Sequence, residues 1–317
     1  TGPVLEIAQE RFTHLAHEDG QIWQIPISLC LFDESGEVEI RNFLLAEQFM
    51  SIEIPASTKA WKLNAGRYGV YRCSTDEDNF RELGVLVREG LLGSRDMYGL
   101  ISDLRALVIK GEKTLDCFID YLLSYFSVSE DYLVVSEITS ALVGFFRLVP
   151  EKATEIAFTG KKLLFPIYEK IGLVPLEGEP YLDTIMRDEI VWPLFLFGVD
   201  DIRSELIKRF ALVTDDKSVE TDLIPYVIKA GAYSSSGNLG WFKNRIENGD
   251  TPAEMKKYLY QGLGWFQDRE TTAAILDYIM ASIEPQNRIQ VIREITSNSE
   301  FDPILWNWFS NRFSDIS

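Results

Sequence analysis

The sequence predicts a multidomain chain, a small all-β sandwich followed by an all-α superhelical domain. Three observations predict it. Apolar and polar residues alternate from Val4 to about Cys73, as they do in strands with one buried face. After Asp76 the apolar spacing turns helical and stays so. Connections bearing Gly, Pro, Asn or Asp then separate segments of similar length. These observations place a sandwich over 1–75 and a helical domain over 76–317.

Within the first part, strands are expected from Val4, over Ile22–Phe32, from Glu37 to Leu45, over Ser51–Ile54 and over Tyr68–Cys73. Tight-turn sequences, Glu18-Asp19-Gly20 and Asp33-Glu34-Ser35-Gly36, separate the first of them. About six short strands in about 75 residues imply a compact sandwich.

The helical part opens with Asp76-Glu77-Asp78, acidic residues that complement the dipole of a helix carrying Phe80, Leu83, Leu86 and Val87. Ser94 suits the cap of the next helix, with Leu100, Leu104, Leu107 and Val108 on one face and Gly111 closing it. Further helices are expected at 112–127, 130–149, 151–171, 180–198, 200–212, 220–232, 251–267, 269–283 and 286–297. Gly231 to Gly240, with Ser234-Ser235-Ser236, reads as a flexible connection between helices. About eleven helices, grouped in pairs of about 35 to 45 residues, resemble a HEAT- or armadillo-like solenoid. Such stacks form concave surfaces, so binding or shaping a cavity is the expected role of this half.

Composition narrows the partners. Apolar residues make up 46% and aromatics 12%, an ordinary globular composition. The formal charge is −18, from 49 acidic and 31 basic residues, and no basic stripe interrupts it, so nucleic acid is not an expected partner. The pairs Lys161-Lys162 and Lys256-Lys257 suit solvated helix surfaces. Cys30, Cys73 and Cys117 are widely spaced, without a C-x-x-C pair, and read as buried thiols. The longest apolar run, Ile190 to Val199, is too short to span a bilayer. Thr1-Gly2-Pro3-Val4 resembles neither a signal peptide nor an initiator sequence, and reads as the start of a piece of something longer.

Residues in patterns that carry chemistry are sparse in the chain. The histidines, His14 and His17, stand at i, i+3 beside Asp19-Gly20. H-E-x-x-H zinc sites instead need i, i+4 histidines on a rigid helix, so these two read as surface turn residues. A Ser-His-Asp or Cys-His set would have to use one of them, and no G-x-S-x-G elbow, Walker A loop or strand-borne G-x-G-x-x-G occurs. The pairs Asp200-Asp201 and Asp215-Asp216 read as exposed caps or faces. Trp306-Asn307-Trp308-Phe309 with Phe313 has the spacing of helix packing. No catalytic or metal-binding residue is expected.

Two stretches carry a resemblance. Pro3-Val4-Leu5-Glu6-Ile7-Ala8-Gln9-Glu10-Arg11-Phe12, followed by Trp23-Gln24-Ile25-Pro26-Ile27, matches a P-V-x-x-V-x-Q-x-R-F and W-x-(I/V)-P-(L/I) pair. Trp61-Lys62-Leu63-Asn64-Ala65-Gly66-Arg67-Tyr68-Gly69-Val70-Tyr71-Arg72 matches a closing W-x-K-x-N-x-G-x-x-G-(F/Y)-Y-R strand with small slips in spacing. Both resemble the third domain of M1-family zinc aminopeptidases, the gluzincins, of the puromycin-sensitive and endoplasmic-reticulum kind. Asp96 through Leu100, Asp103, Leu107 and Gly111 match the D-R-x-x-L-x-x-D-x-x-x-L-x-x-x-G helix opening the family's fourth domain, with Met97 in place of arginine. Arg187 before Gly198-Val199-Asp200, and Leu259 to Asp268, are looser matches, with Gly262 standing where alanine is usual and Trp265-Phe266 peculiar to this chain.

The resemblance implies a non-catalytic C-terminal fragment, shortened at its far end, of a zinc metalloaminopeptidase that removes N-terminal residues from peptides. The family's G-x-M-E-N loop and H-E-x-x-H do not occur in this chain, so zinc would belong to the parent protein and no cofactor to this chain. The helical domain would close over the active site, form the substrate cavity and limit peptide access, its partners being peptide substrates and the upstream catalytic domain. Arg147 and Trp265 are the substrate-cavity candidates the resemblance implies, Arg147 as a guanidinium able to meet a peptide's C-terminal carboxylate. The alternative is a HEAT-like protein-interaction scaffold from a catalytically dead aminopeptidase homologue. The acidic charge, few cysteines and lack of an N-x-S/T sequon suit a cytoplasmic location.

Overall fold

The computed structural model describes residues 2–13, 20–36, 38–297 and 302–316, the side chains of 302 and 313–316 excepted. The described chain is mostly helical, with a small antiparallel β part at its N-terminal end. It separates into two compact units, Thr1–Ala141 and Leu142–Ser317.

In the first unit β1 (Val4–Ala8) pairs with β4 (Phe49–Glu53), and β2 (Ile25–Asp33) lies between β3 (Val38–Leu45) and β5 (Thr58–Leu63). Period-two alternation turns Leu5 and Ile7 of β1 inward with Ile27, Leu29 and Leu31 of β2 and Leu45 of β3, so the two sheets share one core. The Gln9 and Trp23 of the first family pattern meet directly. Gln9 Nε2 donates to the Trp23 and Glu47 carbonyls at 2.9 and 3.0 Å, and its Oε1 accepts the Trp23 N–H at 2.8 Å. A buried amide with its bonds made ties three loop segments together.

The strand expected over Tyr68–Cys73 is absent; the sheet closes with β5, and the chain then folds back on itself. Asn64 (φ 57°) and Arg67 (φ 57°) both sit in the left-handed region, which breaks an extended run. Asn64 accepts the Gly69 N–H at 2.8 Å and donates to the Gly69 carbonyl at 2.8 Å, taking the place of a ladder partner.

Helix α1 (Glu77–Arg88) starts at Asp76, whose carboxylate accepts the Asn79 N–H. Asn79 in turn covers the free edge of β5, accepting the Trp61 N–H at 2.8 Å and donating to its carbonyl at 2.9 Å. Helix α2 (Ser94–Lys110) ends at Gly111 in the left-handed conformation, as expected. Its N-cap, however, is Gly93, while the Ser94 hydroxyl donates to Asp131 at 2.6 Å.

The Trp61–Arg72 stretch and the α2 match at Asp96–Gly111 form one polar joint. Lys62 Nζ lies 2.7 Å from Asp96 Oδ1, which also accepts the Gly66 N–H at 2.8 Å. Arg67 donates to Asp103 Oδ2 at 2.7 Å, and the same oxygen accepts the Cys73 N–H at 3.2 Å. The motif letters thus record which side chains hold the β5 turn against α2. Burial pushes the Asp103 carboxyl up, against the pull of Arg67. Burial likewise pushes the Cys30 thiol to about 11 and the Cys73 thiol to about 12. Cys30 is buried, whereas Cys73 and Cys117 are half-buried, and all three are free.

After α3 (Leu115–Tyr125), helix α4 (Tyr132–Leu148) crosses the limit between the units. The second unit continues with α5 (Ala153–Ile171), α6 (Tyr181–Leu196), α7 (Asp200–Thr214), α8 (Ile224–Ser234), α9 (Leu239–Glu247), α10 (Ala253–Leu263), α11 (Arg269–Ser282), α12 (Pro285–Thr296) and α13 (Asp302–Ile316). Sequence neighbours pack in pairs, α5 on α6, α7 on α8, α9 on α10 and α11 on α12. Alternate helices also meet, α8 on α10 and α10 on α12, so these three form a layer.

The segment read as a flexible connection is largely helical. Gly231 lies inside α8, where a Cβ would come within 2.2 Å of the Phe210 ring; glycine here permits close packing of α7 on α8. After Ser235 the chain turns into α9, which buries Phe242 and Ile246. Asp200-Asp201 open α7, and Asp215-Asp216 follow its last turn, where Asp216 pairs with Arg245 at 2.8 Å. Arg187 is buried, bidentate to Glu179 at 2.7 and 2.8 Å and bonded to the Gly172 and Ile171 carbonyls. In α13, Trp308 is half-buried beneath Arg312, which pairs with Asp277, while Trp306 is exposed.

Candidate functional site

His14 and His17 lie outside the described residues. Among the described residues no group of three or more His, Cys, Asp or Glu side chains is placed to hold a metal ion, and no single helix is long and apolar enough to cross a membrane.

The structure brings Arg147 and Trp265 together. Arg147, in the last turn of α4, sets its guanidinium 5.7 Å from the centre of the Trp265 ring, within cation–π range. Trp265 stands immediately after α10, where its N–H bonds back to the Gly262 carbonyl. Gly264 makes that approach possible. A Cβ on it would lie 2.3 Å from Glu294 Cβ and 2.6 Å from the Glu294 carbonyl carbon.

That close approach lets α12 deliver Glu294 to the indole. Trp265 Nε1 donates to Glu294 Oε2 at 2.7 Å, and Lys229 Nζ of α8 lies 3.5 Å from the same oxygen. Lys229 also sits 5.7 Å from the ring centres of both Trp192 and Trp265. The two indoles meet edge to face with centroids 4.7 Å apart, and Trp192 stacks on Phe195. Beyond Phe195, Arg203 lies over the Phe195 and Tyr233 rings and caps the end of α6 through the Phe195 and Leu196 carbonyls.

Two cations and one carboxylate therefore share an aromatic surround. Burial pulls the Lys229 ammonium below its ordinary value, opposed by Glu294, and does the same to Arg147. Lys229 and Glu294 keep 16% and 17% side-chain exposure, so solvent reaches the pair from one side. Trp192 Nε1 is buried with no hydrogen-bond partner among the described residues. Chemically this arrangement suits recognition of an oxyanion rather than proton transfer.

Each member comes from one even-numbered position, Arg147 from α4, Trp192 from α6, Lys229 from α8, Trp265 beside α10 and Glu294 from α12. Lys229, Glu294 and Trp192 escaped the sequence reading because they are one helix pair apart and form no local motif. Their recurrence at the repeat interval was the signal available.

A family described as the ERAP1-like C-terminal domain matches residues 61–317. Aminopeptidase M1-D of Oryza sativa subsp. japonica is 27% identical over 339 residues, covering 100% of this chain and 38% of the relative. Aminopeptidase M1 of Arabidopsis thaliana is 25% identical, covering 72% of this chain and 28% of the relative. Tricorn protease-interacting factor F2 of Thermoplasma acidophilum is 25% identical, covering 94% and 35%. This chain spans little more than a third of the length of such relatives.

Proposed function

The chain belongs to the family of ERAP1-like C-terminal domains, and from that premise we propose that it is the non-catalytic C-terminal region of an M1 zinc aminopeptidase. Its helix pairs stack as a HEAT-like superhelix, enclose the substrate cavity and limit access of peptides to a catalytic domain elsewhere in the polypeptide. The observation that carries this reading is the meeting of Arg147, Trp192, Lys229, Trp265 and Glu294, which come from alternate helices. A layer that gathers cations and aromatic faces is suited to form an inner wall for peptide substrates. Within it Arg147 is the group for a peptide's C-terminal carboxylate, its guanidinium lying 5.7 Å from the centre of the Trp265 ring.

The described residues do not fit zinc, so no catalytic step is assigned to them. A cytoplasmic location goes with this reading. The test compares the chain alone with the full-length polypeptide in zinc content and in hydrolysis of leucyl- and alanyl-aminomethylcoumarin. An inert, metal-free chain beside an active full-length protein is expected. Turnover or stoichiometric zinc in the chain alone overturns the reading, and an inert full-length protein points to an interaction scaffold.

A further inference from the structure

The sandwich carries an unfilled strand position. Among the described residues β1 pairs with β4 alone. The Ile54 N–H bonds to the Pro3 carbonyl at 2.9 Å and the Gln9 N–H to the Gln48 carbonyl at 3.1 Å. Antiparallel alternation then turns the backbone groups of residues 3, 5, 7 and 9 toward β4 and those of Val4, Glu6 and Ala8 toward the free edge. The opposite solution is found at β5, where Asn79 occupies the edge. Nothing among the described residues does so for β1.

An open groove of about 510 Å³ borders this edge, lined by Val4, Leu5 and Glu6 of β1, by Trp61, and by Ser74, Thr75 and Asp76. Both of its charged side chains are acidic. Glu6 is exposed and pairs with no cation among the described residues. Asp76 spends one oxygen on the Asn79 N–H and remains exposed. Trp61 adds an aromatic wall.

We propose that β1 is a docking edge for an extended, cationic peptide segment, which adds as a strand beside Val4–Ala8 and sets Lys or Arg side chains against Glu6 and Asp76. Backbone bonds to Val4, Glu6 and Ala8 supply the geometry, and the acidic rim selects charge. The site uses none of the residues of the Arg147 cluster and does not rest on the aminopeptidase reading.

The test uses this chain and a fluorescein-labelled peptide of alternating Lys and Val, read by anisotropy. An alternating Glu and Val peptide, and the Lys peptide N-methylated at every second residue, are controls. Binding of the Lys peptide is expected, with loss of roughly tenfold or more on N-methylation, because several edge bonds disappear together. Val4→Pro removes only an outward-facing N–H, a change that edge strands tolerate, and should weaken binding roughly fivefold while leaving the thermal midpoint unchanged. Glu6→Gln should weaken it roughly twofold to fivefold, more at low salt.

Equal binding of the N-methylated or the Glu peptide overturns the proposal, as does no binding. Peptide-independent self-association of the chain, abolished by Val4→Pro, would overturn it in favour of a second copy on the edge. Aminopeptidase activity enters none of these readouts.

Discussion

The joint at Lys62, Arg67, Asp96 and Asp103 and the cluster at Arg147, Lys229 and Glu294 both remove charge from water, yet they do so in opposite ways. In the joint, carboxylates accept backbone N–H groups of a turn as well as cations, so every bond fixes chain geometry. In the cluster, the cations face indole rings and a single carboxylate oxygen serves two donors. Charge that is spent on the backbone holds a fold together. Charge set among aromatic walls, as at Lys229 and Glu294, fixes no backbone turn, which is why the second arrangement and not the first is the candidate site.

The largest effect expected from this contrast is in the joint. Asp103→Ala leaves Arg67 half-buried without its partner and the Cys73 N–H without its acceptor, which should destabilise the first unit by about 3 kcal/mol. Asp103→Asn should cost less, since an amide oxygen still accepts. Chemical denaturation of the three proteins checks the order, and a difference below about 1 kcal/mol between wild type and Asp103→Ala would break the comparison.

Gly264→Ala comes next. Its Cβ would strike Glu294, so α12 must shift, at about 2 kcal/mol. The shift should also lengthen the Trp265–Glu294 bond and alter the near-ultraviolet circular dichroism of the tryptophans. Unchanged spectra alongside reduced stability would mean that Gly264 serves packing alone.

A pH dependence separates two arginine-paired carboxylates. The Arg187 guanidinium holds the Glu179 carboxyl down from 4.5 to about 2. Its contribution is therefore fully present above about 4.5 and is lost as pH falls toward 2. Asp103 has the opposite sign, because burial raises it, and its ionisation weakens the fold as pH rises through its folded value. Unfolding curves of Glu179→Gln and wild type should converge as pH falls through that window. Parallel curves from pH 6 to 2 would deny Glu179 this role.

The smallest stability change belongs to the cluster. Replacing Lys229 by Met and Glu294 by Gln together removes the desolvated pair while keeping an acceptor for Trp265 Nε1, and stability should stay within about 1 kcal/mol of wild type. Lys229→Met alone should be worse, because Glu294 keeps its charge without the ammonium. A strongly destabilised double variant would turn the cluster into a second structural joint and erase the contrast.

Much of this was legible in the sequence because its causes are local. Alternation marked β1 to β4, the acidic start and Gly111 marked α1 and the end of α2, and the family letters at Gln9, Trp23, Lys62, Arg67, Asp96 and Asp103 record hydrogen bonds that the structure makes explicit. Where local signals misled, a distant contact had overruled them. Tyr68–Cys73 alternates like a strand, but Asn64 and Asp103 take its backbone bonds. Gly231 looks like a break, but Phe210 needs the space.

By itself the sequence determined β1 to β4, most of the helices and the lack of an H-E-x-x-H motif in this chain, since periodicity, caps and motif spacing are properties of neighbouring residues. Only the tertiary structure decided that Arg147 meets Trp265, that Lys229 and Glu294 join them, and that β1 keeps an open edge among the described residues. Those facts depend on which helix stacks on which and which strand finds a partner. They arise from packing between segments far apart in the chain, which no local pattern encodes.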